Sequence, residues 1–371
     1  MARIDIPLVD LYAQYLRIQP AIDAAIRRVI ESSAYVGGEP VREFEIAYAS
    51  DYGIPHCVPV GNGTDAIYIV LKMLGIGNGD EVITTAHSWI STSETISQAG
   101  ARPVFVDVDD YYTIDVALIE AAITPRTRAI IPVHLFGQPA DMTAIMSLAA
   151  RHGLHVIEDC AQAHYAIWHG QRVGTFGKAA TFSFYPGKNL GAYGDAGAIL
   201  TADSALATKM RMYANHGALR KHEHAVEGIN SRLDGLQAAI LLAKLPHIHE
   251  WTERRRQVAR WYDELLKDVA GVQRPLVRPG AEHVYHLYVV QVEARAAVAA
   301  RLAAEGVQTA IHYPVPLPLM EAYRYLGYHA GCFPRAAANA DRILSLPMYP
   351  ELTRAQVERV AECLTRALRD R

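Results

Sequence analysis

Between residues 60 and 200 the chain alternates two kinds of apolar pattern, and that alternation restricts the fold more than any other feature of the sequence. Short, nearly continuous apolar runs recur: VITTA (82–86), PVFVD (103–107), AIIPV (129–133), HVIED (155–159), ATFSF (180–184) and GAILT (197–201). Their length and β-branched content are those of buried strands. Helical stretches lie between some of them. TDAIYIVLKMLG puts Ile67, Val70, Leu71 and Leu74 on one stripe, with Gly75 as a stop. VALIEAAI (116–123) and DMTAIMSLAARHG (141–153) are two more. Strands apolar on both faces and separated by helices predict an α/β fold with a mainly parallel sheet sandwiched by helices. In such sheets ligands gather at the carboxyl ends of the strands.

After about residue 232 the pattern changes. RLDGLQAAILLAKL and RRRQVARWYDELLKDV read as long amphipathic helices, the second burying Val258, Trp261, Tyr262, Leu265 and Val269. YHLYVVQV (285–292) reads as a strand, and the last helix, RAQVERVAECLTRAL, buries Val357, Val360, Leu364 and Leu368. The expected organisation is a large α/β domain over 1–245, including the N-terminal segment, and a smaller C-terminal α+β domain over 246–371.

A net charge of −3, from 36 basic and 39 acidic side chains, gives no reason to expect nucleic acid or an anionic membrane as partner. No apolar stretch reaches the length of a membrane span. The opening MARIDIPLVDLYAQ interrupts its apolar residues with charges, unlike a secretory signal. Cys57, Cys160, Cys332 and Cys363 are widely spaced without a C-x-x-C pair, which predicts reduced cysteines in a cytoplasmic protein and no zinc site.

Four features fall at the ends of the expected strands. GNGTDA (61–66) is a glycine-flanked turn feeding a helix, whose N-terminus can seat a phosphate; N-G turns and threonine caps also occur without any ligand. In EDCAQAH (158–164), Asp159 closes an apolar strand and Gln162 follows. A carboxylate there is costly unless it meets a cation, for instance a protonated ring nitrogen, although Asp159 could instead cap a helix. SFYPGK (183–188) ends a strand at a tight turn bearing Lys188, an amine able to condense with an aldehyde, with the Ser183 hydroxyl two residues before Tyr185. HSWISTSE (87–94) offers Trp89 either as a stacking face for a flat ring or as a core tryptophan. Phosphate cradle, buried acid, stacking aromatic and imine-forming lysine together describe a pyridoxal 5′-phosphate site. Pairing with the pyridinium should hold the Asp159 carboxyl below its usual range.

In order and spacing, GNGTDA, EDCAQAH, SFYPGKNLGAYGDAGAI and GINSRLDGLQAAIL resemble the DegT/StrS family of sugar aminotransferases, from PLVDLYAQY (7–15) to SLPMYPELT (345–353). The resemblance implies the type I aspartate-aminotransferase fold and assigns roles. Lys188 would bond the cofactor aldehyde, Asp159 would pair with the pyridine nitrogen, and Gln162 would contact the ring hydroxyl. Gly63, Thr64 and Ser183 would hold the phosphate, and Trp89 would stack on the ring. Asn230, in GINSRLD, would reach the phosphate of a neighbouring subunit, so that a homodimer shares its active sites. Two departures stand out: Tyr185 where many members carry histidine, and GDAG (194–197) for G-E-G-G. Relatives with histidine in place of the lysine dehydrate their substrates, so the retained Lys188 favours transamination.

The implied reaction carries the amino group of L-glutamate to a nucleotide-linked keto-sugar by ping-pong kinetics. VQTAIHYPVPL (307–317) is similar to the segment of relatives acting on 3-keto sugars, and would bring His312 and Tyr313 to the sugar unless they belong to a packed loop. ALRKHEH (218–224) gathers Arg220, Lys221, His222 and His224 on a basic loop able to face a pyrophosphate. No further ligand pairs with its H-E-H triplet, so no metal is expected. Tyr35 and Val36 would line the pocket, and Tyr185 would influence substrate choice. A 4-keto sugar, a cyclitol, or a catalytically silent regulatory protein that binds the cofactor remain alternatives. A nicotinamide dehydrogenase is disfavoured, because no G-x-G-x-x-G follows an early strand.

Overall fold

The computed structural model describes residues 5–369. Its centre is a seven-stranded sheet formed by β1 (His56–Val60), β2 (Glu81–Thr85), β3 (Arg102–Val106), β4 (Thr127–Ile131), β5 (His155–Asp159), β6 (Ala179–Ser183) and β7 (Gly197–Thr201), in the order β1-β7-β6-β5-β4-β2-β3. Strands β3, β2, β4, β5 and β6 pair in parallel, whereas β7 runs antiparallel to both β6 and β1. The sheet is therefore mixed but mainly parallel, as the apolar runs predict. Every residue of β2 and β7 is buried, which follows from helices lying on both faces.

Strand β1 is absent from the pattern read in the sequence. HCVPV carries Pro59, which cannot donate to a ladder, and it is tolerated because β1 lies at the sheet's edge, where Pro59 pairs with Ala198 of β7. The helix expected over TDAIYIVLKMLG runs from Gly63 to Met73, and Gly75 follows with φ of +75°. VALIEAAI is shorter than its periodicity implies: one α-helical turn, Val116–Ile119, passes into a 3₁₀ turn, Glu120–Ala122.

On one side of the sheet a core forms around Phe44, Tyr48, Tyr52, Phe182 and Phe184, all buried. Tyr48 meets Phe182 and Phe184 edge-on, with ring centres 5.6 and 5.3 Å apart. The other side is covered by helices Gly63–Met73 and Ser204–Ala214. A second sheet of three strands, Val272–Gln273, Tyr288–Val292 and Ile343–Leu346, packs with helices Ile248–Leu266 and Arg354–Arg369 around Tyr262, Tyr288 and Leu364. Helix Ile248–Leu266 joins the two cores, with Ile248 and Trp251 in the first and Val258 and Tyr262 in the second. The chain's beginning also crosses over: Ile6 bridges Val307 in parallel and is buried in the second core. Among the described residues no helix is long and apolar enough to cross a membrane.

Candidate active site at the strand ends

Because β1, β2, β4, β5 and β6 point the same way, the segments that follow them converge on one edge of the sheet. They carry Gly63 and Thr64, His87 to Thr92, His134 to Phe136, Asp159 to His164, and Ser183 to Lys188.

The phosphate cradle is built by close approach. A Cβ on Gly63 would lie 2.8 Å from the Ser183 Cβ, so only glycine lets the helix end press against the end of β6. Asn62 caps the helix by accepting from the Asp65 N–H at 2.8 Å, which leaves the earlier amides of Gly63 and Thr64 directed past the helix end. Thr64 Oγ1 lies 2.7 Å from Ser91 Oγ, at the start of helix Ser91–Gln98. Two helix N-termini thus meet beside Ser183, where their dipoles favour an anion.

Asp159 is 5% exposed. Its Oδ2 accepts from the Thr92 hydroxyl at 2.8 Å and its Oδ1 from the Ala161 N–H at 3.1 Å. The bond to Ala161 is a local turn contact, and no helix begins there, which removes the helix-cap alternative. Burial pushes the carboxyl's pKa up, against the pull of those donors and of Lys188 and His134. The depressed value expected from pairing with a ring cation is thus not built into the chain. A carboxylate so desolvated is completed by a cation, and a protonated pyridine nitrogen supplies one.

Lys188 sits on a loop closed at its neck by Ala192 N–H donating to the Phe184 carbonyl at 2.8 Å, and turned inside by Lys188 N–H donating to the Tyr185 carbonyl at 2.8 Å. Burial lowers its ammonium to about 8 while Asp159 raises it. That value leaves an appreciable fraction of free amine near neutrality, as imine chemistry requires. Three histidines feel the same charge: His164 and His312, each lowered to about 4 by burial and then by Lys188, and His286, held well below its ordinary value for the same reasons and by further nearby cations. Burial and the Lys188 charge thus both favour the neutral imidazole at these three positions, which leaves Asp159 as the charged group acting on the amine.

The remaining residues singled out from sequence fall as follows. Trp89 is 59% exposed, which excludes a core role, and its ring centre lies 6.2 Å from that of Tyr313. Gln162 Oε1 accepts from the Phe136 N–H at 2.7 Å, and its Nε2 donates to the Tyr313 hydroxyl at 2.5 Å. Tyr313 has φ of +67°, and its carbonyl accepts from the buried His87 Nε2 at 2.9 Å. His312 Nδ1 bonds the Ser345 hydroxyl at 2.7 Å. Tyr185 is exposed beside the lysine loop. Tyr35 and Val36 are exposed on a turn held to the start of helix Gly235–Lys244, where Gly235 N–H donates to the Tyr35 carbonyl at 2.8 Å. Arg220, Lys221, His222 and His224 lie on an exposed hairpin formed by Ala218–Arg220 and Glu223–His224, and Asn230, also exposed, bridges Asn215 at its base.

Several residues at this edge escaped the sequence reading, among them Thr92, Ser91, His164 and His286. Thr92 and Ser91 lie within the stretch containing Trp89, and only the onset of a helix at Ser91 turns their hydroxyls to the site. His286 carries no local signal at all. Thr92 permits a direct test. Thr92→Val keeps the shape but removes a donor to a buried anion, so the Asp159 pKa should rise further and turnover should fall about tenfold. Steady-state rates and the absorbance of bound cofactor measure this.

Among the described residues, one group of three potential metal ligands lies close together: His134, Glu158 and Cys160. The Glu158 oxygens already accept from the N–H groups of Gly174, Phe176 and Gly177 at 2.7 to 2.8 Å and face His134 Nε2 at 3.3 Å. His134 Nδ1 accepts from the Ala140 N–H at 3.0 Å. These bonds use the donor atoms to lock the loop before β6.

The residues therefore fit pyridoxal phosphate: a cradle that a Cβ would fill, a buried acid able to balance a ring cation, a softened amine and an exposed indole face. Comparison with known proteins agrees. The DegT/DnrJ/EryC1/StrS aminotransferase family matches residues 17–365. The erythromycin biosynthesis sensory transduction protein EryC1 of Saccharopolyspora erythraea is 47% identical over 361 residues, 97% of this chain and 99% of that protein. The UDP-N-acetyl-3-dehydro-alpha-D-glucosamine 3-aminotransferase of Acidithiobacillus ferrooxidans is 46% identical over 364 residues, 98% of each chain. The crystal structure of S. venezuelae DesV in complex with a ketimine intermediate superposes with a TM-score of 0.95 at 44% identity, covering 99% of this chain and 98% of that one. With that likeness along nearly its full length and a lysine, acid and phosphate cradle at the strand ends, the chain belongs to the DegT/DnrJ/EryC1/StrS aminotransferase family, whose cofactor is pyridoxal phosphate.

Proposed function

We propose that the protein transfers the amino group of L-glutamate to the 3-keto group of a nucleotide-linked hexose, giving an amino-sugar nucleotide. The observation that carries this reading is the pairing of Lys188, softened to about 8, with buried Asp159 at one edge of the sheet. Bound pyridoxal phosphate supplies an aldehyde for imine formation and a ring that accepts the electrons of a carbanion. The chain does the rest. Gly63, Thr64 and Ser183 would hold the cofactor's phosphate, Trp89 would stack on its ring, Gln162 would contact its hydroxyl, and Asp159 would keep its nitrogen protonated. Lys188 Nζ would be the base that takes the proton from the donor's α-carbon. The keto-sugar would receive the amino group in the second half of the exchange.

The 3-position is favoured by the A. ferrooxidans relative, whose name specifies a 3-dehydro sugar and a 3-aminotransferase. In this reading His312, kept neutral, and Tyr185 approach the sugar, Arg220 faces the pyrophosphate, and Tyr35 lines the pocket. Tyr313 reaches the site through Gln162. A homodimer completes it: Asn230 and the hairpin beside it are exposed, with Leu219 54% and Val226 44% accessible, as expected of a surface that meets a second copy. Free, well-separated cysteines fit a cytoplasmic setting; the proposed large domain over 1–245 and smaller one over 246–371 follow the two cores only in part, since Ile6 packs in the second and Ile248, Trp251 and Val284 in the first.

The test offers nucleotide-linked 3-keto and 4-keto hexoses with L-glutamate and measures 2-oxoglutarate. Release is expected with 3-keto members; release with 4-keto members alone overturns the regiochemistry. The sensory-transduction name of the S. erythraea relative sustains a second reading, a silent cofactor-binding regulator. A yellow preparation inert to every amino donor would favour that reading, whereas bleaching by glutamate alone favours transamination.

A further inference from the structure

Lys244, in helix Gly235–Lys244, is a lysine with 1% of its surface exposed, and no step above uses it. Burying an ammonium is costly, so its partners define what it is for. Its Nζ donates to the Gly191 carbonyl at 2.7 Å and lies 4.3 Å from the centre of the Tyr193 ring. Gly191 is three residues beyond Lys188 and folds back so tightly that a Cβ there would lie 2.2 Å from the Pro186 carbonyl oxygen. Lys244 therefore grips the base of the loop that carries the reactive amine.

The loop is held at a second point. Asn189 Nδ2 donates to the Val284 carbonyl at 3.1 Å, and its Oδ1 lies 3.3 Å from His286 Nδ1. The carbonyls of Tyr285 and His286, in turn, accept from Arg255 Nη1 at 3.1 and 3.3 Å, and the same nitrogen donates to Met348 at 3.0 Å. Both carboxylate oxygens of Glu351, three residues beyond Met348, are buried without a hydrogen-bond partner. The lysine loop is thus held directly by helix Gly235–Lys244 through Lys244 and, by way of Asn189, by the 284–286 segment that Arg255 ties to Met348.

We propose that Lys244 is a positioning residue for Lys188: through its bond to the Gly191 carbonyl it fixes that end of the loop, so that the Lys188 amine is set towards Asp159. The inference rests on the reading of Lys188 as the imine-forming lysine. It predicts that loosening the grip changes the burial of Lys188 and its distance from Asp159, the two things that set its proton affinity.

Lys244→Met, which keeps the length of the side chain and removes the donor, is the test, made on the holoenzyme. The readouts are kcat, KM for L-glutamate, and the pH midpoint of the visible absorbance change of the bound cofactor. The expected result is a kcat lower by about tenfold, KM within about twofold of wild type, and a midpoint displaced by about half a pH unit or more. A folded variant with an unchanged midpoint overturns the proposal, whether or not kcat falls. Should Lys244→Met fail to fold, Lys244→Gln, polar but shorter by one heavy atom, decides: a midpoint shift supports the proposal and an unshifted midpoint overturns it. A wild-type holoenzyme without a visible band would refute the imine at Lys188 itself, a failure distinct from that of Lys244.

Discussion

Lys188→Ala is expected to abolish turnover, lowering it by more than about ten-thousandfold, and to leave the protein folded. Two functions vanish with one nitrogen: the covalent hold on the cofactor and the base that moves the α-proton. The fold should survive, because the loop is shaped by its own backbone, through the bonds from Lys188 N–H to Tyr185 and from Ala192 to Phe184, and by Asn189 and Gly191. Deleting an ammonium whose pKa burial has lowered to about 8 also removes a desolvation cost. The proposed phosphate contacts at Gly63, Thr64 and Ser183 are untouched by the substitution, so the variant should take up cofactor reversibly. Borohydride reduction followed by peptide mapping should label wild type at residue 188 and leave the variant unlabelled. Label at another lysine in wild type would sink the assignment.

The strand ends and their turns were legible in the sequence because each requirement there is local. Asp159 closes an apolar run, Lys188 follows Pro-Gly, and Gly63 opens a helix, so both the mainly parallel sheet and the principal groups could be read from short segments. Strand β1 was hidden by Pro59, which only its place at the sheet's edge excuses. The partners were hidden by distance along the chain. Thr92 meets Asp159 across 67 residues, Tyr313 meets Gln162 across 151, and His286 meets Asn189 across 97. No periodicity encodes such contacts; they exist only once the β2, β5 and β6 ends share one edge and residues 283–313 fold over it. Lys244 illustrates the same point: its spacing from Ile240 and Leu241 puts it on the helix's buried stripe, but nothing in the helix identifies Gly191, 53 residues away, as its partner.

Asp159→Asn separates the two roles that a buried carboxylate can play. In the chain without cofactor, burial raises the Asp159 pKa, so the folded state holds its proton more tightly than the unfolded state does. The sign follows from linkage: stability falls as pH rises from the unfolded pKa through the higher folded one, and at neutral pH the ionised group is a net cost to the apoprotein. Asparagine is isosteric and uncharged. Its Oδ1 can still accept from Ala161 N–H, and its amide can donate to the Thr92 hydroxyl, which reorients to accept. The apoprotein should therefore melt at the same temperature as wild type or higher. The holoenzyme should behave in the opposite way, because the amide cannot balance a protonated ring nitrogen. The rise in melting temperature on adding cofactor should shrink, and turnover should fall by about a thousandfold, since the ring no longer draws electrons from the carbanion. Calorimetry of the two forms, with and without pyridoxal phosphate, measures the first effect, and glutamate half-reaction kinetics the second. An apoprotein strongly destabilised by the substitution would show that Asp159 serves the fold, whereas an unaltered gain from cofactor would show that the carboxylate does not face the ring nitrogen.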